Sequence, residues 1–352
     1  MKKSFKFAGR LAGLAVFATA SVSAQAACPT TTPGWARVVA GTDNTTLLFK
    51  VAVASNFVSA VQTLANAYLA SLGTSSTNYI EICGNSSGTI SEEINAHNSA
   101  DLFSLFLSAD EKNANAVSTE GPYGRGKPFP YANGIPVFLL SPAATSADPG
   151  SDYPALDYLT VGSGAYAEGT VRPISNKVTI NRNAGAPHHV SYLAIGDPSL
   201  APYGVAAIEI LSEMGFVSPP PLIPPFPYAN ANTNVTSNCS SLVTSGQWIC
   251  AYRNIDYTLQ AIDANRVTAG IVSYGQVCTA LNGTAYDPKR YVLFPRNPTE
   301  QYGISLRSTS TQQTNADNFL SYLGVASPNY TNGFGSTWNA WLSSNCYESI
   351  GI

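Results

Sequence analysis

The chain has 352 residues, 45% hydrophobic and only 11% charged, with 28 Gly and 23 Pro, where soluble domains average roughly 25% charged residues. That length suits one large or two ordinary domains. The net charge of −3 excludes a basic nucleic-acid surface as the main activity, 19 Tyr and 14 Phe argue against disorder, and three His leave little for a His-built metal site.

Lys2, Lys3, Lys6 and Arg10 precede a short apolar run, Leu11 to Ala20, and Ala24-Gln25-Ala26 supplies a small-residue cleavage site. Residues 1–26 therefore read as a secretory signal peptide. Its removal takes four basic and no acidic residues, leaving the expected mature chain at net −7. The chain is then periplasmic or secreted. Cys28, Cys83, Cys239, Cys250, Cys278 and Cys346 all survive cleavage and could form three disulfides, with 15 connectivities open. Cys239 and Cys250 are near enough to close a surface loop. A lipidated Cys28 is a competing reading, although Gln25-Ala26-Ala27 lacks the usual Leu three residues before the Cys.

From residue 47 the pattern is α/β. Leu47 to Val53 is an apolar strand, and Ser55-Asn56 supplies an N-cap for a stripe of Phe57, Val61, Leu64, Tyr68 and Leu72. Tyr79–Cys83 is a strand, Gly84 to Gly88 a polar turn, and Ile90 and Ile94 mark a helix. Leu102 to Leu107 is the next strand. This order implies parallel pairing. Further strands are expected at Ile135–Leu140, Tyr192–Ile195, Gly270–Val272 and Val292–Phe294. Helices are expected after Pro202 (Val205, Ile208, Leu211 and Met214 on one side), at 255–264 and at 316–323. Residues 144–190 and 217–253 read as insertions, the latter a Pro-rich surface loop.

Three features share one geometry: Ala54-Ser55-Asn56, Asn85-Ser86-Ser87-Gly88 and Ala201-Pro202-Tyr203-Gly204 each lead from a strand into a helix. Arg253-Asn254-Ile255 is a fourth helix start, reached from a loop. Helix N-termini carry unpaired N–H groups and partial positive charge, so they hold anions. Ligands of open α/β sheets sit at the carboxyl ends of strands. Ser hydroxyls add donors without adding charge, which suits a fully ionised oxyanion.

These residues carry a resemblance. Val51–Phe57, Ser86–Ile90, Ala100–Phe103 with Leu107–Asp110, Leu193–Pro198 with Ala201–Gly204, Gly270–Gly275, and Phe294-Pro295 leading to Tyr302–Ile304 occur in family order. The chain resembles the periplasmic molybdate-binding proteins of ABC importers, within the type II periplasmic binding-protein fold. The resemblance implies two lobes, each a mostly parallel sheet flanked by helices, with a ligand cleft between them. Lobe I would be 27–135 and 292–352, and lobe II 136–291. It implies hydroxyl donors at Ser55, Ser87 and Tyr274 and main-chain N–H donors at Tyr203 and Ile255. Tyr203 is bulky where the family has a small residue, and Tyr274 sits one residue late behind Ser273. It further implies a monomer that binds molybdate or tungstate, delivers it to an inner-membrane ABC permease, needs no cofactor or metal, and is not an enzyme. Phosphate at neutral pH carries a proton that needs an acceptor, and none of the matched positions is acidic.

Two other readings stand beside this one. The same fold could bind another anion or a small organic solute. Gly84-Asn85-Ser86-Ser87-Gly88 also matches the G-x-S-x-G elbow of a serine hydrolase, but the only His after Ser86 are His97, His188 and His189, far from the C-terminus. His188-His189, adjacent in a polar loop, reads as solvated rather than metal-binding, and Trp338, Trp341 and Tyr347 as packing residues.

Overall fold

The computed structural model describes residues 28–29, 33–96, 103–119, 123–147, 151, 154–161, 178–218, 222, 224–278, 286–294, 297–324 and 336–349. The expected signal peptide, His97, Leu102 and Pro295 lie outside them.

Among the described residues the framework is two six-stranded sheets. The first runs β1 (Ala36–Gly41), β3 (Asn78–Asn85), β2 (Thr46–Ala54), β4 (Leu105–Ser108), β14 (Thr299–Leu306), β5 (Gly124–Gly134). β2 pairs in parallel with β3 and β4, as the strand-helix-strand order requires. β2 alternates as a strand buried on both faces must. Phe49, Val51 and Val53 enter the core with α1 (Val58–Ser71) and α9 (Ser310–Tyr322). Ala52 faces the other core, with Ile90 and Ile94 of α2 (Ser87–Ala96) and Val117 of α3 (Glu111–Thr119).

Sequence periodicity did not announce β1. It lies antiparallel on β3 at the sheet edge, and the Cys28–Cys83 disulfide and an Arg37–Glu81 ion pair pin it there. Cys28 thus has no thiol left to lipidate.

The second sheet runs β10 (Tyr228–Asn230), β11 (Ile249–Tyr252), β9 (Leu193–Gly196), β12 (Ala269–Ser273), β6 (Pro136–Leu140), β13 (Tyr291–Leu293). Its first four strands are parallel, and β6 is antiparallel to both neighbours. α6 (Pro202–Glu213) covers one face and α7 (Ile255–Asp263) the other.

Four sequence expectations are corrected. The first sheet is mixed rather than mostly parallel: β1 joins β3, and β14 joins β4 and β5, antiparallel. The stretch 217–253 is not all surface loop: it supplies β10 and the fully buried β11, held by Cys239–Cys250. The α7 start is therefore reached from a strand. Val205 is 38% exposed, because α6 turns Ala206, Ala207 and Ile210 inward beside Ile208 and Leu211. Ser55 and Asn56 do not cap α1: they form a single 3-10 turn with Phe57 and make no side-chain cap bond.

The chain crosses between the sheets twice. Ile135 alone separates β5 from β6, and the return lies between β13 and β14. The Cys278–Cys346 disulfide makes a third connection, from the end of α8 (Tyr274–Val277) to the segment after α10 (Ser336–Ser344). That segment also bridges Glu348 to Asn133 beside the crossing. Trp338 and Tyr347 are buried in the first sheet's core.

Candidate ligand-binding cleft

Four strand-to-helix turns meet between the sheets. On the first side, β2 leads into Ser55, which is half-buried and lines the cleft. Its hydroxyl has no hydrogen-bond partner among the described residues. Asn56 beside it is buried; its Nδ2 donates to Gln301 Oε1 at 3.2 Å, while its Oδ1 has no hydrogen-bond partner among the described residues.

The second turn follows β3. Ser86 is the N-cap of α2: its Oγ accepts from Thr89 N at 3.4 Å and donates to Thr89 Oγ1 at 2.7 Å. Among the described residues no imidazole is bonded to it, as a hydrolytic nucleophile would need; the His189 ring contacts Ala186 and Ser191 instead. Ser87 is buried, and its Oγ accepts from Ala109 N at 2.9 Å. The hydroxyl hydrogen and the Ser87 N–H have no acceptor among the described residues.

On the second side, Asp197 shapes the turn after β9. Its carboxylate accepts from Ser199 N and Oγ and from Asn232 Nδ2. Pro202 opens α6 without an N–H to place, so Tyr203 presents the first main-chain donor. The bulk of Tyr203 points away from the helix start into the seam between the sheets. Its hydroxyl accepts from Ser273 Oγ at 2.9 Å and lies 3.5 Å from Gln301 Nε2. Burial pushes this phenol well above its usual range, so it stays neutral.

Asn254 caps α7 by accepting from Tyr257 N at 2.8 Å, leaving the Ile255 N–H at the first helical position. Tyr274 packs its ring 5.8 Å from that of Tyr291, and Ser273 is committed to Tyr203. At that point Gly275 and Gln276 line the cleft.

The two sides touch. Gly88 N donates to Leu200 O at 2.9 Å, and Asn254 Nδ2 donates to Gly34 O at 3.2 Å and reaches Asn85 Oδ1 at 3.5 Å. The Ser55–Phe57 turn packs on α7 and α8. The start of α2 thus meets the approach to α6 at Gly88 and Leu200, and the start of α7 meets the turns after β2 and β3; helix starts and hydroxyls of this kind favour an anion. Of the expected site residues, Ser55 lines the cleft. A cleft of about 410 Å³ opens outward from there, between β1 and α1 on one side and α7 and Tyr286 on the other. Asp256, on its wall, has its carboxyl raised above the ordinary value by burial.

The sequence analysis placed Asn56 and Asn254 at helix starts without giving either a role in the site, and missed Asp256. Asn254 had a readable signal, an Asn directly before an apolar helical stripe. Gly34 had none, since its place depends on the remote pairing of β1 with β3.

Among the described residues, no group of three or more His, Cys, Asp or Glu could hold a metal, and no helix is long and apolar enough to cross a membrane.

A family profile described as bacterial extracellular solute-binding protein matches residues 49–330. No curated protein matches the chain in sequence. Among solved structures, the chain is similar to the periplasmic molybdate-binding protein of Azotobacter vinelandii, at 19% identity and TM-score 0.53, covering 86% of this chain and 99% of that one. It is also similar to the substrate-binding protein of an ABC transporter from Agrobacterium tumefaciens, at 11% identity and TM-score 0.48, covering 82% and 80%. A third is L-phospholactate-bound PEB3 of Campylobacter jejuni, at 10% identity and TM-score 0.43, covering 86% and 99%. At these identities the likeness is one of fold: two sheets flanked by helices, the type II periplasmic binding-protein architecture.

Proposed function

Since the chain belongs to the bacterial extracellular solute-binding proteins, we propose that it captures a small oxyanion between its two sheets outside the cytoplasm and passes it to an ABC permease. Molybdate, or tungstate of the same shape and charge, is the inorganic ligand this reading puts first. The observation that carries it is the meeting of helix starts from both sides, α2 with the approach to α6 at Gly88–Leu200 and α7 with the turns at Asn85 and Ser55. Ser55 Oγ, Ser87 Oγ and N–H, and the Tyr203 and Ile255 N–H groups would hold the oxygens.

The lobes would be 27–135 with 292–352, and 136–291, hinged at the crossings beside Ile135 and after Leu293. Closing them brings dipoles from both sides onto one charge. Capture must come from these local dipoles, because the expected mature chain is net negative. The family is one of solute-binding proteins, so binding without chemistry is the activity proposed.

The test is a thermal-unfolding series on the mature, disulfide-bonded protein with molybdate, tungstate, sulfate and phosphate. Ligand at about a hundred times its Kd adds roughly 2.7 kcal/mol, which in a protein of this size raises the Tm by about 5–10 °C. A rise with molybdate and tungstate supports the reading. No rise with any oxyanion refutes it.

A further inference from the structure

Three consecutive residues beyond α10 reach three different places. Cys346 is bonded to Cys278 at the end of α8, on the second side. Glu348 exchanges both main-chain hydrogen bonds with Asn133, at 3.0 Å each, just before the crossing at Ile135. Tyr347, between them, is buried, and its hydroxyl donates to the main-chain carbonyl of Asn56 at 2.8 Å. Its ring meets that of Phe57 edge-on, with centroids 4.8 Å apart and planes at 75°. One side chain thus grips both residues that follow Ser55 in its turn.

That turn depends on remote contacts. It is a single 3-10 turn with no side-chain cap bond, and the Ser55 hydroxyl has no hydrogen-bond partner among the described residues. The place of that hydroxyl therefore follows from the backbone of residues 55–57. Asn56 Nδ2, on Gln301 Oε1, holds the turn from the side of the first sheet. Tyr347 holds it from an anchor that both sides share. A Cβ on Gly275 of α8 would lie 2.1 Å from the Tyr347 hydroxyl oxygen, and Gly275 itself lines the cleft. The hydroxyl is wedged between the Ser55 turn of one side and a cleft-lining helix of the other. Burial raises this phenol well above its ordinary range, so it keeps the proton it donates. A donor locked by packing on every side fixes its acceptor more tightly than a free one.

Resting on the oxyanion reading above, we propose that Tyr347 is a positioning residue for Ser55, fixing the turn that presents the Ser55 hydroxyl to the anion. Tyr347 does not touch the anion. The C-terminal segment, remote in the chain, completes the site, and the contacts that join the two sides also set its geometry.

The test is isothermal titration of the mature, disulfide-bonded protein with molybdate, as a double-mutant cycle. Tyr347→Phe keeps the ring on Phe57 and loses only the hydroxyl, whereas Ser55→Ala loses the group being positioned. With Ser55 present, Tyr347→Phe is expected to weaken molybdate about five- to tenfold. In Ser55→Ala the same change is expected to alter affinity by less than about twofold. In Ser87→Ala, on a different turn, the loss of about five- to tenfold remains. Should Tyr347→Phe fail to fold, Glu348→Pro serves in the same cycle, since it deletes the Glu348 N–H bond to Asn133 and slackens the same anchor from the surface. A general loosening of the fold costs the same in every background. An equal loss in all three, or no loss with Ser55 present, overturns the positioning role and leaves the oxyanion reading standing. A wild-type protein that binds none of molybdate, tungstate, sulfate and phosphate overturns both.

Discussion

In the proposed site the wall built on the first sheet would offer hydroxyls, at Ser55 and Ser87, whereas the wall built on the second would offer main-chain N–H groups, at Tyr203 and Ile255. On the hydroxyl wall the side chain is the chemistry, so its identity matters. On the main-chain wall the helix start is the chemistry, and the side chain is free for other work. Tyr203 illustrates this: its ring and hydroxyl tie the two sheets together through Ser273 and Gln301, while its N–H stays at the start of α6. A binding residue's type is therefore informative on one wall and nearly silent on the other.

The strongest way to break the comparison is to move a helix on the main-chain wall. A Cβ on Gly204 would lie 2.2 Å from Gly196 O and 2.8 Å from the carbonyl carbon of Asp197. These are backbone atoms that cannot rotate away, so Gly204→Ala must shift α6. We expect a stability loss of about 1–3 kcal/mol or more in urea unfolding, together with loss of measurable oxyanion binding. Retained binding would show that the α6 start is not part of the site.

The hydroxyl wall is probed next. Ser87→Ala removes both a ligand donor and the acceptor of the buried Ala109 N–H. It should cost about 1–3 kcal/mol of stability and weaken the anion about ten- to a hundredfold. Ser55→Ala should weaken the anion by a similar factor but change stability by less than about 0.5 kcal/mol, because that hydroxyl holds nothing else. The contrast between the two variants, read from paired urea and titration curves, separates binding from scaffold. The smallest effect on affinity is expected for Tyr203→Phe: about 1 kcal/mol less stable, since Ser273 loses its acceptor, yet within about twofold in affinity. A large affinity loss there would mean that the hydroxyl, not the N–H, serves the ligand.

What the sequence disclosed follows from how local each signal is. β2, β3, β9 and β12 were legible as apolar runs, and the turns at Ser55, Ser87 and Tyr203 as small polar residues between a run and a stripe. β11, Ile249–Tyr252, was hidden because the Pro- and Asn-rich stretch that leads into it was read with it as one loop. β1 depends on β3, more than thirty residues away in the chain, and no local pattern reports such pairing. The disulfide connectivity is likewise a matter of tertiary position: Cys278 and Cys346 meet only because the C-terminal segment folds back over the crossing at Ile135. Val205 was placed on the buried side of α6 because a stripe of large residues overlooks the alanines, Ala206 and Ala207, that pack closest. Asn56 was read as a cap and Asp256 was not singled out, since nothing in their neighbours tells which way a turn will face.

The most direct test of the central claim is where the anion sits. Crystals of the mature protein grown with tungstate, measured at the tungsten edge, should give one strong anomalous peak within hydrogen-bond distance of Ser55 Oγ, Ser87 Oγ and the Tyr203 and Ile255 nitrogens, with the Gly88–Leu200 contact closed beside it. A peak elsewhere on the surface, or a cleft without tungstate in crystals that hold it at other sites, would contradict the account.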